Sequence, residues 1–344
     1  MIGRTVLFSL LLYNSFKCQS HPDVRVDSLM ETTLTKIVNH FYDSAYSEIN
    51  IFKSEYSEIP IGNLYEAALL IAKSIDYGIP FEEEKIDSLL RISNKQCDKL
   101  LEKKSTKLWT VYYKALSTGY YSYYNLLNKN YLAAFSWASE SNSYYKDCLE
   151  IDSTFYEAQG AIGSYQYWMG DKTSVFNWLP LIPDKREQGI LNLETAFKKV
   201  QYSRAFTGDQ LFWVYVNEER FDDALELSEL LIEEFPESRN IRFLYAHILS
   251  IKKDVSAIGE FTRILNSYPV YVIENNLKRI ELKKKIAELH FRFGNYQEAF
   301  SVCNNILSID NLSEYVNNRL ENKLVDVKEL KDRAFERINK TRKE

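Results

Sequence analysis

The sequence predicts an all-α fold, a right-handed superhelical solenoid of antiparallel helix pairs stacked in a row. Three observations carry this. Glycine and proline number only 11 and 7 in 344 residues; sheet proteins need both for turns, and helix interiors exclude both. Apolar residues recur at three- and four-residue intervals through most of the chain. A phrase also repeats: Ala224 and Ala257 stand 33 residues apart, as do Pro236 and Pro269. With 45% hydrophobic and 26% charged residues, the chain can bury a core and stay soluble.

The first twenty residues differ from the rest. Arg4 gives a positive start, Val6 to Tyr13 a short apolar run, and Cys18-Gln19-Ser20 a small-residue cleavage pattern before His21. This reads as a secretory signal over residues 1–20, too short to span a bilayer. Lipid attachment at Cys18 is the alternative, but Lys17 stands where a lipobox has a small residue. Removal after Ser20 takes Arg4 and Lys17 and no acid, moving the net charge from −5 to −7. Such a charge gives no electrostatic case for nucleic acid. The expected address is the periplasm or cell envelope.

Residues 21–344 are expected to form one α-solenoid, with divergent helical repeats over 28–200. Ser28 with Glu31 forms a capping box ahead of a single stripe, Leu34, Ile37, Phe41, Ala45, Ile49 and Phe52. A helix from Leu64 to Ile75 is closed by Gly78 and Pro80. Residues 81–104 give a charged amphipathic helix, and Leu108 to Leu127 a very aromatic one. Asn130-Tyr131 opens the next. In the phrase from Thr154 to Trp168, Gly160 and Gly163 let a neighbouring helix approach closely.

Regular repeats follow over 201–311. Ala224 opens the second helix of one pair, with Leu211 and Tyr215 on the first helix's core face and Leu231 inside the second. Leu244, Leu249, Ala257, Phe261 and Ile264 play these parts in the next pair, and Ile286, Ala287, Ala299, Cys303 and Ile306 in a third. The alanine is small because two helices cross there, and the proline ends its helix for want of an amide hydrogen. The spacing resembles the 34-residue tetratricopeptide period. Over 312–342, Val316, Leu320, Leu324, Val327, Leu330, Ala334 and Ile338 form one apolar stripe on a charged helix, as a terminal cap needs.

Little points to chemistry. His40, His247 and His290 are isolated and fit no metal-ligand spacing, and no nucleophile elbow, phosphate loop or dinucleotide fingerprint occurs. No catalytic residue, metal or cofactor is expected, although a pocket between the Tyr-rich helices of 108–168 would be the place for one. Cys97, Cys148 and Cys303 are odd in number, far apart and without CxxC; each reads as a small buried hydrophobe, with oxidation of one pair after export left open. The 25 tyrosines fill gaps between helices or line a binding surface.

One stretch is unusual. In WLPLIPD, Trp178, Leu179, Leu181 and Ile182 sit among two prolines, and Asp184 with Glu187 caps the helix that follows. The apolar residues either plug a gap between helices or face a partner or membrane surface. Residues 152–250 resemble a group of bacterial exported tetratricopeptide-repeat (TPR) proteins, carried by the Gly-rich aromatic helix, the Leu-Pro loop, and Asp184, Arg186 and Gly189, with Lys185 inserted. They are also faintly similar to the eukaryotic inclusion-body-clearance (Iml-type) TPR family, linked to outer mitochondrial membranes and lipid droplets. The resemblance implies a scaffold. The expected function is non-catalytic binding of a protein partner, as peptide or helix, on a concave face lined by Phe212, Tyr215, Val216, Arg242, His247, Arg279, Lys283 and His290. The alternative is an envelope structural or lipid-associated protein that uses Trp178, Leu179 and Ile182 as its contact.

Overall fold

The computed structural model describes residues 20–102, 107–170, 184–272 and 276–341. Among them all regular structure is helical: α1 Val24–Val38, α2 Tyr42–Glu55, α3 Ile61–Tyr77, α4 Glu83–Glu102, α5 Leu108–Leu127, α6 Tyr131–Ile151, α7 Tyr156–Gly170, α8 Arg186–Phe197, α9 Arg204–Asn217, α10 Phe221–Glu234, α11 Arg239–Ile251, α12 Ser256–Asn266, α13 Leu277–Arg292, α14 Tyr296–Leu307 and α15 Glu314–Thr341. The all-α expectation holds. None of these helices is long and apolar enough to cross a membrane. The expected signal segment, save Ser20, and Trp178, Leu179 and Ile182 lie outside the described residues.

The chain divides into two compact units, one of Met1–Lys36, Asp43–Ala68 and Asp87–Val214, the other of Ile37–Tyr42, Leu69–Ile86 and Tyr215–Glu344. In the first, α5 packs on α6, α6 on α7 and α7 on α8. The glycines set the closest approach. A Cβ on Gly163 would lie 2.9 Å from Gly189 O and Leu193 N, and one on Gly189 would lie 2.8 Å from Gly163 O and Tyr167 N. Backbone meets backbone there, so no side chain fits. The aromatics of α5 serve packing: Trp109 meets Tyr112, Phe155 and Tyr202 edge to face at centroid distances of 5.5, 5.7 and 5.7 Å.

In the second unit each helix from α10 to α15 packs on the next, and α15 also reaches α13. Ala224, Ala257 and Ala299 are fully buried at the crossings. One core joins Ala246, Leu249, Ala257, Phe261, Leu282 and Leu289; the next joins Ile280, Ala287, Cys303 and Ile306 to Val316, Leu320, Val327 and Leu330 of α15. Cores shared between successive pairs are what make a stack rather than a bundle with one centre.

The turns repeat as faithfully as the cores. Asn130 N donates to Asn125 O, Arg220 N to Tyr215 O, Asp254 N to Leu249 O and Asn295 N to His290 O, at 2.8, 2.8, 2.9 and 2.9 Å. Each closes the same helix end, in which one residue must be left-handed. Those residues are Lys129, Glu219, Lys253 and Gly294, with φ of 60°, 56°, 60° and 82°. Three of the four carry a Cβ, which the left-handed region penalises.

Two local expectations are corrected. The stripe from Leu34 to Phe52 belongs to two helices, α1 and α2, broken where His40 takes a φ of 63°; Phe41 in that break is half exposed. Ser28 lies inside α1, whose first turn is capped by Asp23 Oδ1, accepting from Arg25 N at 2.9 Å and Val26 N at 3.1 Å. The sequence offers Asp23 and Ser28 as caps five residues apart, and starting at the earlier one brings the fully buried Val26 into α1.

Candidate partner-binding face

In the second unit the residues expected to line a concave face are held by neighbouring helices. Arg242 on α11 donates from Nη1 to Glu260 Oε2 on α12 at 3.0 Å and from Nη2 to Pro236 O at 3.0 Å. Arg279 on α13 reaches Leu265 O at 3.5 Å, and Lys283 donates to Asn305 Oδ1 on α14 at 2.8 Å. The other side of α13 meets α15, where Lys323 pairs with Glu281 and Lys284 lies 3.3 Å from Asp326. No described residue of α13 is fully exposed before Arg292. His247 stacks on Phe243 at 6.0 Å, and burial, with Lys285 nearby, pushes its imidazole down to about 4. Burial also lowers His290. Tyr215 is buried with its ring under Arg220, and Val216 is half-buried. Phe212, in the first unit, is wholly buried and so is core.

Sequence reasoning missed a buried polar node in the second unit. The Asp76 and Arg239 side chains are only 6% and 11% exposed. Arg239 donates from Nε to Asp76 Oδ1 at 2.8 Å and from Nη2 to Oδ2 at 2.6 Å, a forked pair. Tyr42 donates to Asp76 Oδ2 at 3.1 Å, and Tyr268 to the Asp76 carbonyl at 3.1 Å. Arg239 Nη1 donates to Ser267 O at 3.2 Å, its guanidinium lies 4.9 Å from the Tyr268 ring, and its backbone N donates to His40 Nδ1 at 3.2 Å. Burial pushes His40 down to about 4, against the opposing pull of Asp76, so its ring is neutral and free to accept. The node pins the end of α3 and the break after α1 to the start of α11 and the end of α12. Its longest-range bond joins residues 199 apart in the chain, a separation that leaves no local sequence pattern.

The node supports an exposed apolar rim. Tyr77 and Tyr271 share a hydroxyl contact at 2.9 Å, and Asn276 Nδ2 donates to Tyr77 O at 2.6 Å. Beyond these, Val270 is 99% exposed, Tyr271 68% and Ile79 38%. Tyr315 donates to Ile79 O at 3.3 Å, fixing the other side. Exposed apolar groups gathered beside bonded tyrosines have the form of a binding surface. Among the described residues no three His, Cys, Asp or Glu side chains come together as a metal site would require. Cys97, Cys148 and Cys303 are buried free thiols, each raised by burial.

No protein-family model matches the chain, and no curated protein is significantly similar to it. Solved structures are similar to it at low identity. A TPR protein of Thermus thermophilus matches at 15% identity and a TM-score of 0.38, over 64% of this chain and 98% of its own. The C-terminal part of a TPR repeat-containing protein of Cytophaga hutchinsonii matches at 14% and 0.41, over 84% and 98%. The human IFIT1 dimer with m7Gppp-AAAA matches at 13% and 0.42, over 87% and 76%. At such scores these likenesses carry no functional argument; the stacked, identically closed hairpins are read from this chain's own geometry.

Proposed function

We propose that the protein is an exported, non-catalytic scaffold that binds a protein partner, as a peptide or helix, against the rim formed by Ile79, Val270 and Tyr271. The observation that carries this is the full exposure of Val270 beside Tyr271, on a segment tied down by the Asp76–Arg239 node. Ser267 O and the Tyr268 hydroxyl, just before Val270, are bonded into that node. Covering one large apolar side chain is worth about 1.5–3 kcal/mol, so a partner seated there gains roughly a tenfold or greater affinity from Val270 alone. The leader-like pattern of residues 1–20 supports export, with the partner then in the periplasm or envelope.

The test is co-purification from the native envelope with wild type, Val270→Asp and Arg242→Glu. Loss of the partner with Val270→Asp, at unchanged helical circular dichroism, supports the rim. Loss only with Arg242→Glu places binding on the α11 face instead and overturns the rim.

A further inference from the structure

The first described residues are seated on the first unit in an unusual way. The backbone nitrogen of His21 lies 3.0 Å from Asp27 Oδ1 and 2.8 Å from the Tyr202 hydroxyl oxygen. The Tyr202 hydroxyl donates its single proton to the same Asp27 oxygen, so its lone pairs face His21 N. Gln201 Nε2 approaches Asp27 Oδ1 at 3.5 Å, and Ser20 Oγ lies 3.4 Å from Gln201 Oε1. The imidazole meets Trp109 edge-on at 4.9 Å and lies stacked near Tyr113 at 6.3 Å. Its Nδ1 accepts from Asp23 N at 3.0 Å, while the Asp23 carboxylate is taken up by capping α1.

A peptide N–H has one proton, and here two acceptors compete for it, one of them a carboxylate. An α-ammonium has three protons and a charge to match. The leader pattern independently ends at Ser20, one bond before this nitrogen.

We propose that hydrolysis of the Ser20–His21 bond creates the cation for which Asp27 and Tyr202 are the binding site, so that the processed N-terminus locks onto the first unit. This rests on the export reading above. A leader peptidase of the export machinery is the catalyst. Water adds across the bond: its hydroxyl goes to the Ser20 carbonyl carbon, one proton to the departing His21 nitrogen, and the amine takes a further proton from solvent. The shared amide contact becomes an ion pair with Asp27 plus a hydrogen bond to Tyr202. Processing thereby tightens the start of α1 only after the leader has gone.

The experiment expresses the full chain with its own leader in a bacterial host. Mass spectrometry of the exported protein identifies the first residue, and competitive acetylation across pH titrates its α-amine. The expected result is a chain beginning at His21 whose amine titrates about one unit or more above the free value of about 7.7–8.0. Asp27→Asn returns it to that value; if that variant fails to fold, Tyr202→Phe, which removes one acceptor and keeps the ring, lowers it in part. An exported chain beginning at His21 whose amine titrates normally overturns the seat and leaves export standing. A retained leader overturns both.

Discussion

Replacing Arg239 with Met is the sharpest perturbation of the node that braces the rim. The substitution keeps an unbranched side chain of similar reach and removes the charge. It leaves the Asp76 carboxylate, 6% exposed, with the Tyr42 hydroxyl and without its forked partner, and frees the Ser267 carbonyl. Removing one member of a buried, hydrogen-bonded ion pair costs about 3–5 kcal/mol, because the other charge stays buried. With a urea dependence of about 1–3 kcal/mol per molar for a unit of this kind, the unfolding midpoint falls by roughly 1–5 M. Adding Asp76→Asn removes the stranded charge, so the double variant is more stable than the sum of the single losses by about 1.5 kcal/mol or more. Urea unfolding followed by circular dichroism and by tryptophan fluorescence measures all four proteins. A loss below about 1 kcal/mol for Arg239→Met, or strict additivity in the cycle, would refute the reasoning.

His40 titrates at about 4 in the fold and near 6.5 unfolded, so the unfolded chain binds more protons between those values. Stability is therefore whole above about 6.5 and is lost as pH falls toward 4, by up to about 3 kcal/mol from this group; His40→Asn, whose amide oxygen can still accept from Arg239 N and which tolerates positive φ, flattens the melting temperature across that window. Gly163→Ala forces a methyl into Gly189 O and Leu193 N and lowers stability by about 1–3 kcal/mol in thermal unfolding. Gly259→Ala, whose added methyl would meet nothing within 4 Å, raises it by up to about 1 kcal/mol. Lys253→Gly relieves the left-handed turn residue and also stabilises, by about 1 kcal/mol.

What the sequence made legible was whatever repeats or is local. Helix identity came from apolar spacing, and the crossings came from Ala224, Ala257 and Ala299, because only a small residue fits where helices touch. Gly160 and Gly163 announced a close approach by a neighbouring helix, and the stripe from Val316 to Ala334 announced a helix with one buried side; that Gly189 of α8 supplies the facing backbone was seen only in the fold. The break at His40 was not legible, since neither glycine nor proline marks it; Asn39 Oδ1 and His40 Nδ1 accept from Glu237 N and Arg239 N, so tertiary bonds hold the turn. The node was invisible for the same reason. Asp76 and Arg239 each look like an ordinary surface charge near a helix end, and only the fold brings them together. The charged residues expected on a concave face were chosen by repeat position alone, which fixes a helix face but not whether the next helix already occupies it.

The most direct test of the scaffold is site-specific photocrosslinking in the native envelope. A photoreactive residue replaces Val270 in one protein and the exposed Lys328 of α15 in another. The account predicts one discrete protein adduct from position 270, abolished by Ile79→Asp in the same chain, and none from position 328. Equal adducts from both positions, or none from 270 while the protein remains folded and exported, would contradict it.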